Sequence, residues 1–139
     1  MLSTTSTYAL RALARLAEAP DIYMLGRDLA VAAAIPANYL SKILLTLRNG
    51  GLLVTSRGSG GGYRLSRSPR EISLLQVVNL FEKSPITQVC FLDTSKACSA
   101  ENRCLAHIRW CPVRDAYTAF LASTNLEEIT QKEAGGAHG

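Results

Sequence analysis

The sequence predicts a mostly α-helical fold with one small β-hairpin, and three observations predict it. Apolar residues recur at helical spacing through most of the first 50 positions. A glycine-rich run, Arg57-Gly58-Ser59-Gly60-Gly61-Gly62, separates two short β-prone stretches. A last helical stretch carries bulky apolar side chains. The chain has 139 residues, 47% hydrophobic and 19% charged, a balance that supports one core and argues against global disorder. No apolar stretch approaches the roughly 18–20 residues of a membrane span. The polar start, Met1 to Ser6, followed by Arg11 and Arg15, does not fit a secretory signal peptide. A cytoplasmic location is the expectation.

Each element has its own signal. Ala9, Ala12, Leu13, Leu16 and Ala17 share a face ahead of Pro20, which predicts a first helix over Thr4–Ala19. A second, over Leu25–Ala34, turns Leu29, Ala30 and Ala33 inward and is broken by Ile35-Pro36. A third runs over Ala37–Asn49 with Leu40, Ile43, Leu44 and Leu47 buried, and ends at Gly50-Gly51, where glycine suits a left-handed cap. Helix, tight turn, helix is the resulting order. Leu52–Ser56 and Tyr63–Ser66 read as the paired strands. The glycine run between them matches neither the dinucleotide fingerprint nor a Walker sequence, and it suits a hairpin whose backbone comes close to another molecule.

Ser73-Leu74-Leu75-Gln76 is a capping-box sequence, and Leu74, Val77, Val78 and Phe81 then give a fourth helix ending before Pro85. Residues 86–103 show no sustained period and read as a loop. The last long helix spans Leu105–Ser123, with Trp110, Val113, Tyr117, Phe120 and Leu121 as its bulky surface. Pro112 inside it means either a kink or a start at Pro112 with Cys111 as the cap. So much apolar surface on a terminal helix points to a partner, most simply the same helix of a second chain. Thr124-Asn125-Leu126-Glu127 is a second capping-box pattern, and Ala134–Gly139, with His138, reads as a frayed tail.

Charge is uneven along the chain. Residues 1–70 hold nine Lys/Arg against three Asp/Glu, giving +6, whereas residues 71–139 hold six against eight, giving −2. No acid occurs between Asp28 and Glu71, where Lys42, Arg48, Arg57, Arg64, Arg67 and Arg70 fall, as expected of a surface that meets polyanions. The outer side of the third helix presents Asn38, Tyr39, Ser41, Lys42, Thr46 and Arg48, groups able to read base edges and hold phosphates. Arg57 at the base of the hairpin and Arg64 on its return suit a strand pair lying along a DNA groove.

The four cysteines are confined to one segment, Cys90-x7-Cys98-x5-Cys104-x2-His107-x3-Cys111. A cytosolic chain with its own core has little use for disulfides, so a metal or redox site is the better reading. The spacing lacks the paired Cys-x2-Cys knuckles of most structural zinc sites. Widely spaced thiolates in a loop suit an iron–sulfur cluster, in which imidazole can replace thiolate. Lys96, Arg103 and Arg109 nearby would favour the thiolate form. An enzyme built on Cys104 or Cys111 with His107 lacks a positioned third group and an oxyanion loop, so a non-enzymatic protein is expected.

Five stretches carry a likeness to a known family: Tyr8-Ala9-Leu10-Arg11-Ala12, Ile35-Pro36-Ala37-Asn38-Tyr39-Leu40, Leu47-Arg48-Asn49-Gly50-Gly51-Leu52, Arg57-Gly58-Ser59-Gly60-Gly61-Gly62-Tyr63 and Glu71-Ile72-Ser73-Leu74. Together they resemble the winged-helix regulators of the IscR, NsrR, RirA and CymR family, which sense iron–sulfur status, nitric oxide, iron or cysteine supply. The resemblance implies a winged helix–turn–helix plus a C-terminal dimerisation helix. It also implies a homodimer with two recognition helices in successive major grooves of double-stranded DNA, on an imperfect palindromic operator. By position Asn38, Tyr39, Ser41 and Lys42 would face bases or nearby phosphates and Arg57 would enter the minor groove, with Arg48, Ser59, Gly60 and Arg64 completing the DNA-binding set.

The resemblance further implies an iron–sulfur cluster on Cys90, Cys98, Cys104 and His107, with Cys111 as an alternative to His107. The histidine three residues after Cys104 is similar to that of members holding a 2Fe–2S cluster, preferred here over 4Fe–4S, while the Cys90–Cys98 spacing is similar to that of iron-responsive members. Some cluster-binding relatives carry an acid where Ser41 stands. The expected organisation is a DNA-binding module over residues 1–85, a cysteine-rich sensor loop over 86–104, a dimerisation helix and terminal turn over 105–132, and a disordered tail over 133–139. The expected function is transcriptional regulation through a cluster responding to a redox, iron or nitric oxide signal. The alternative is a cluster-free repressor controlled by thiol oxidation or by a partner protein.

Overall fold

The computed structural model of the protein describes residues 2–93, 96–98, 103 and 105–130. Six α-helices and one two-stranded antiparallel sheet follow each other in the order α1 (Thr4–Ala17), α2 (Gly26–Ala33), α3 (Ala37–Asn49), β1 (Leu53–Ser56), β2 (Gly62–Leu65), α4 (Leu74–Asn79), α5 (His107–Ser123) and α6 (Leu126–Thr130). Short 3-10 turns at Pro69–Glu71 and Ile86–Gln88 precede α4 and follow it. The predicted fold class and the bounds of α3 agree with this; α1 and α2 are each two residues shorter than predicted, β1 is one shorter, and β2 keeps its length but begins one residue earlier. No single helix among the described residues is long and apolar enough to cross a membrane.

One aliphatic core holds the first five elements together. Ala9, Ala12, Leu13 and Leu16 of α1 meet Leu29 and Ala33 of α2 and Leu40, Ile43, Leu44 and Leu47 of α3, all buried. The alanines let α1 and α2 approach closely, and the leucines of α3 fill the space between them. Between α2 and α3 the chain bends by 111°, within the range of a helix–turn–helix. Ala34 takes the left-handed conformation there (φ 56°), and Ile35 N–H reaches back to the Ala30 carbonyl at 2.9 Å to close the helix end. Arg11 of α1 donates to the exposed carbonyls of Ala33 and Ala34, so a cation sits where the α2 dipole is negative.

At the end of α3 the left-handed residue is Gly51 (φ 81°), with Gly51 N–H on the Arg48 carbonyl and Leu52 N–H on the Leu47 carbonyl. The chain enters β1, which pairs with β2 in the register Leu53↔Leu65, Val54↔Arg64, Thr55↔Tyr63 and Ser56↔Gly62. A third strand position escaped the sequence reading. Met24 and Tyr63 exchange both backbone hydrogen bonds, at 2.9 and 2.8 Å, which pins the hairpin to the start of α2. Gly62 (φ 127°) permits this approach, because any Cβ there would collide with the Met24 carbonyl.

Both helix-start signals downstream are real, one of them displaced. Ser73 and Gln76 form the predicted capping box at α4. The second box joins Asn125 and Glu128, each side chain on the other's backbone N–H at 3.1 Å, rather than Thr124 and Glu127. The two caps are themselves paired: Leu74 N–H donates to the Thr124 carbonyl at 2.9 Å and Leu126 N–H to the Ile72 carbonyl at 3.0 Å. A start of the last helix at Pro112 is overturned, since α5 begins at His107 and continues through the proline. Where a loop was predicted, the described residues hold the Ile86–Gln88 turn and a Val89↔Ala97 bridge. The tail from Gln131 onward, and with it His138, lies outside the described residues.

Candidate nucleic-acid interface and thiolate site

The exposed side of α3 carries Asn38, Ser41, Lys42 and Arg48, all solvent-exposed, while Leu40, Ile43, Leu44 and Leu47 anchor the other side in the core. The Ser41 hydroxyl donates to the Asn38 carbonyl at 3.0 Å and the Thr46 hydroxyl to the Lys42 carbonyl at 3.2 Å. Tyr39 is half exposed, and its ring meets the Tyr8 ring edge-on at 5.7 Å, with the Arg11 guanidinium 5.4 Å from the Tyr8 centroid. The helix is thus buttressed by α1 on the side that sequence reasoning assigned to bases or nearby phosphates. A cleft of ~280 Å³ lined by Thr5, Asn38, Tyr39, Lys42, Thr46 and Phe81 runs along this face.

In the hairpin tip Gly61 N–H donates to the Gly58 carbonyl at 3.0 Å, and Gly58 and Gly60 hold positive φ. Arg57, Ser59 and Gly60 are exposed on this tip. Arg64 differs: it is half-buried, with its guanidinium 5.0 Å over the Tyr23 ring and its Nε enclosed without a hydrogen-bond acceptor. Cation–π stacking therefore ties Arg64 to the body of the protein at the base of the hairpin. The signal that could have found this partner is Tyr23-Met24, an aromatic beside a residue that pairs with the strand.

The cysteine segment is organised by the Val89↔Ala97 bridge. Cys98 N–H donates to the Gln88 carbonyl at 2.7 Å and Cys90 N–H to the Lys96 carbonyl at 3.0 Å. Alternation along such a pair sets Cys90 and Cys98 on the same face of it. Both are buried, Cys98 to 3% exposure. Cys98 Sγ lies 3.2 Å from His107 Nδ1 at the start of α5, and Cys111, one turn on, brings its Sγ to 3.5 Å from the same ring. Cys104 lies outside the described residues. Among the described residues no group of three or more His, Cys, Asp or Glu side chains gathers as a metal site.

Two side chains of α5 that sequence reasoning left without this role hold the segment. Trp110 Nε1–H donates to the Val89 carbonyl at 2.9 Å while its ring tilts against Phe91 at 5.3 Å. Arg114 Nη1 donates to the Cys98 carbonyl at 3.4 Å. Of the cations expected to favour thiolates, Lys96 is exposed and paired with Asp93 at 3.7 Å, and Arg103 and Arg109 are exposed. On donor chemistry the arrangement fits an iron–sulfur group: soft sulfur atoms and an imidazole nitrogen meet in a largely buried place.

Three comparisons with known proteins bear on these features. The sequence profile of the Rrf2 family, described as an iron-dependent transcriptional regulator, matches residues 2–132. The HTH-type transcriptional regulator IscR of Photorhabdus laumondii is 32% identical over 106 residues, 76% of this chain and 63% of that protein, so the chain spans less than two thirds of that relative's length. Among solved structures, CymR, the global cysteine regulator of Bacillus subtilis, superimposes with a TM-score of 0.79 at 27% identity, covering 94% of this chain and 95% of that one. The oxidized form of Staphylococcus aureus CymR gives 0.74 at 26% identity, over 96% and 98% of the two chains. A profile that runs from the start of α1 past the end of α6, over a fold shared with CymR, settles the kinship: the chain belongs to the Rrf2 family of transcriptional regulators.

Proposed function

We propose that this chain is a cytoplasmic, DNA-binding transcriptional regulator that works as a homodimer and whose operator binding is controlled by an iron–sulfur cluster. The observation that carries the DNA-binding reading is the acid-free exposed face of α3 beside a basic, glycine-tipped hairpin. Asn38, Tyr39, Ser41 and Lys42 would read base edges and adjacent phosphates, Arg48 would hold backbone, and Arg57, Ser59 and Gly60 would follow the neighbouring groove, with Arg64 at the hairpin base. Residues 1–85 form the reading module, 86–104 the sensor segment and 105–132 the dimerisation part. Ile108, Val113 and Phe120 of α5 are all more than half exposed, the apolar surface a second copy would cover. Two copies would then meet an imperfect palindrome.

Cys90, Cys98, Cys104 and His107 would hold the cluster, 2Fe–2S in preference to 4Fe–4S, with Cys111 as the alternative to His107. A bound cluster supplies a group whose presence and oxidation state follow redox, iron or nitric oxide conditions. The chain's own part is mechanical: Cys98 and His107 join the sensor segment to the first turn of α5, so any change in their separation moves that helix end. A second reading, control by thiol chemistry without a cluster, is supported by the likeness to CymR, described as a cysteine regulator and known in an oxidized form.

Anaerobic purification with iron and sulfide analysis separates the two. Equal iron and sulfide near two per chain is expected, and a colourless protein that resists reconstitution transfers control to the thiols. On the DNA side, Lys42→Ala and Arg57→Ala should each weaken operator binding about tenfold at moderate salt and lower the salt slope by about one. Unchanged affinity in fluorescence anisotropy removes the residue from the interface.

A further inference from the structure

Along α5, His107, Cys111, Arg114 and Thr118 fall at positions i, i+4, i+7 and i+11, which makes one polar stripe beside the apolar stripe of Trp110, Tyr117 and Leu121. A guanidinium on such an inward stripe is unusual, because an arginine is rarely buried unless it is paired. The Arg114 side chain is only 11% exposed, and its Nε is fully enclosed with no hydrogen-bond acceptor. Asp115 approaches that Nε to 3.7 Å, beyond hydrogen-bond range, from a carboxylate that is itself 71% exposed. What Arg114 does grip is the backbone of the sensor segment, at the Cys98 carbonyl.

We infer that Arg114 is the positioning residue of the cysteine–histidine site: it clamps the Cys98 backbone against α5 and so presents Cys98 Sγ to His107. Two facts converge on this. The clamp acts on the very residue whose sulfur lies 3.2 Å from the imidazole. The helix that carries Arg114 also carries His107 and Cys111, so clamp and imidazole move as one body. The inference deepens the cluster reading as to ligand presentation, but the clamp itself is read from the protein alone.

The test uses the full chain, stripped of iron under anaerobic reducing conditions, and follows iodoacetamide alkylation of each cysteine by peptide mass spectrometry. Arg114→Gln should raise the rate at Cys98 at least fivefold and leave Cys111, which sits on α5 itself, within twofold. Arg114→Lys, which keeps the charge but not the fork, should fall between. A Cys98 rate equal to that of the unsubstituted chain overturns the inference. So does a parallel rise at Cys98 and Cys111 with a lowered Tm, the mark of general loosening. Iron and sulfide content of the same three proteins before stripping is read separately. Its absence from all of them would defeat the cluster reading while the alkylation rates still decide the role of Arg114.

Discussion

The helical reading module and the cysteine segment are held together by different means. In the module, Leu13, Leu29, Leu40, Ile43, Leu44 and Leu47 are almost completely excluded from water and touch one another across three helices. In the segment, Ile86, Val89 and Trp110 supply the buried apolar surface among the described residues, and Phe91 and Leu92 stay more than half exposed. These three residues join the same core, and the segment is further tied by hydrogen bonds from Trp110 and Arg114 and by the Val89↔Ala97 bridge. A surface that meets a repeating DNA lattice benefits from a close-packed scaffold, whereas a segment with the proposed sensing role would have to change shape at modest cost.

Substitutions can sharpen or break that contrast. Leu47→Ala, at a position with no exposure, should cost about 2–5 kcal/mol, because the surrounding helices cannot collapse into the void. Val89→Ala in the segment should cost less than half as much in urea titrations followed by circular dichroism, and equal costs would remove the distinction. Trp110→Phe keeps the aromatic contact with Phe91 and deletes the bond to the Val89 carbonyl, for about 1 kcal/mol. Its loss of hydrogen-exchange protection should be confined to residues 88–98. A spread into α3 would show that the two regions unfold together.

The smallest effect concerns pH. Burial, and after it the nearby Glu82 carboxylate, raises the Tyr117 hydroxyl above its ordinary value of about 10. The fold thus favours the neutral phenol, so this contribution to stability is complete below about pH 10 and is lost as pH rises through the raised value. Urea midpoints measured across that alkaline range should fall less steeply for Tyr117→Phe than for the unsubstituted chain. Equal slopes would mean that Tyr117 ionises as freely in the fold as outside it.

The module was legible because its signals are local and redundant. Periodicity, the Gly50-Gly51 stop and the Ser73-x-x-Gln76 box each fix an element without reference to the rest of the chain. What escaped was non-local. The pairing of Met24 with Tyr63 is written in no single stretch, and neither is the stacking of Arg64 on Tyr23 or of Tyr39 on Tyr8. Pro112 left a kink or a later start open, and α5 runs through it from His107, so the later start does not occur although the proline removes one backbone donor. At the cysteine site, the grouping of the thiols was visible in the sequence, while the choice of His107 beside them came from the family resemblance. Arg114 could not be named in advance, because an arginine in a helix is ordinarily a solvated side chain, and only the fold shows it turned inward.

The paired caps at Ser73 and Asn125 have a mechanical consequence. They fix the Thr124 end of α5 to the module, while the His107 end is tied to the cysteine segment. A helix of 17 residues is about 25 Å long, so it acts as a lever with its fulcrum at the caps. A tilt of about 5° would carry the His107 end through about 2 Å, given that length, without breaking a hydrogen bond at the fulcrum. The exposed apolar side chains Ile108 and Val113 ride on the moving arm, and Phe120 sits near the pivot. Whatever packs against this helix is therefore displaced most where the sulfur atoms are and least where the helix joins the reading module.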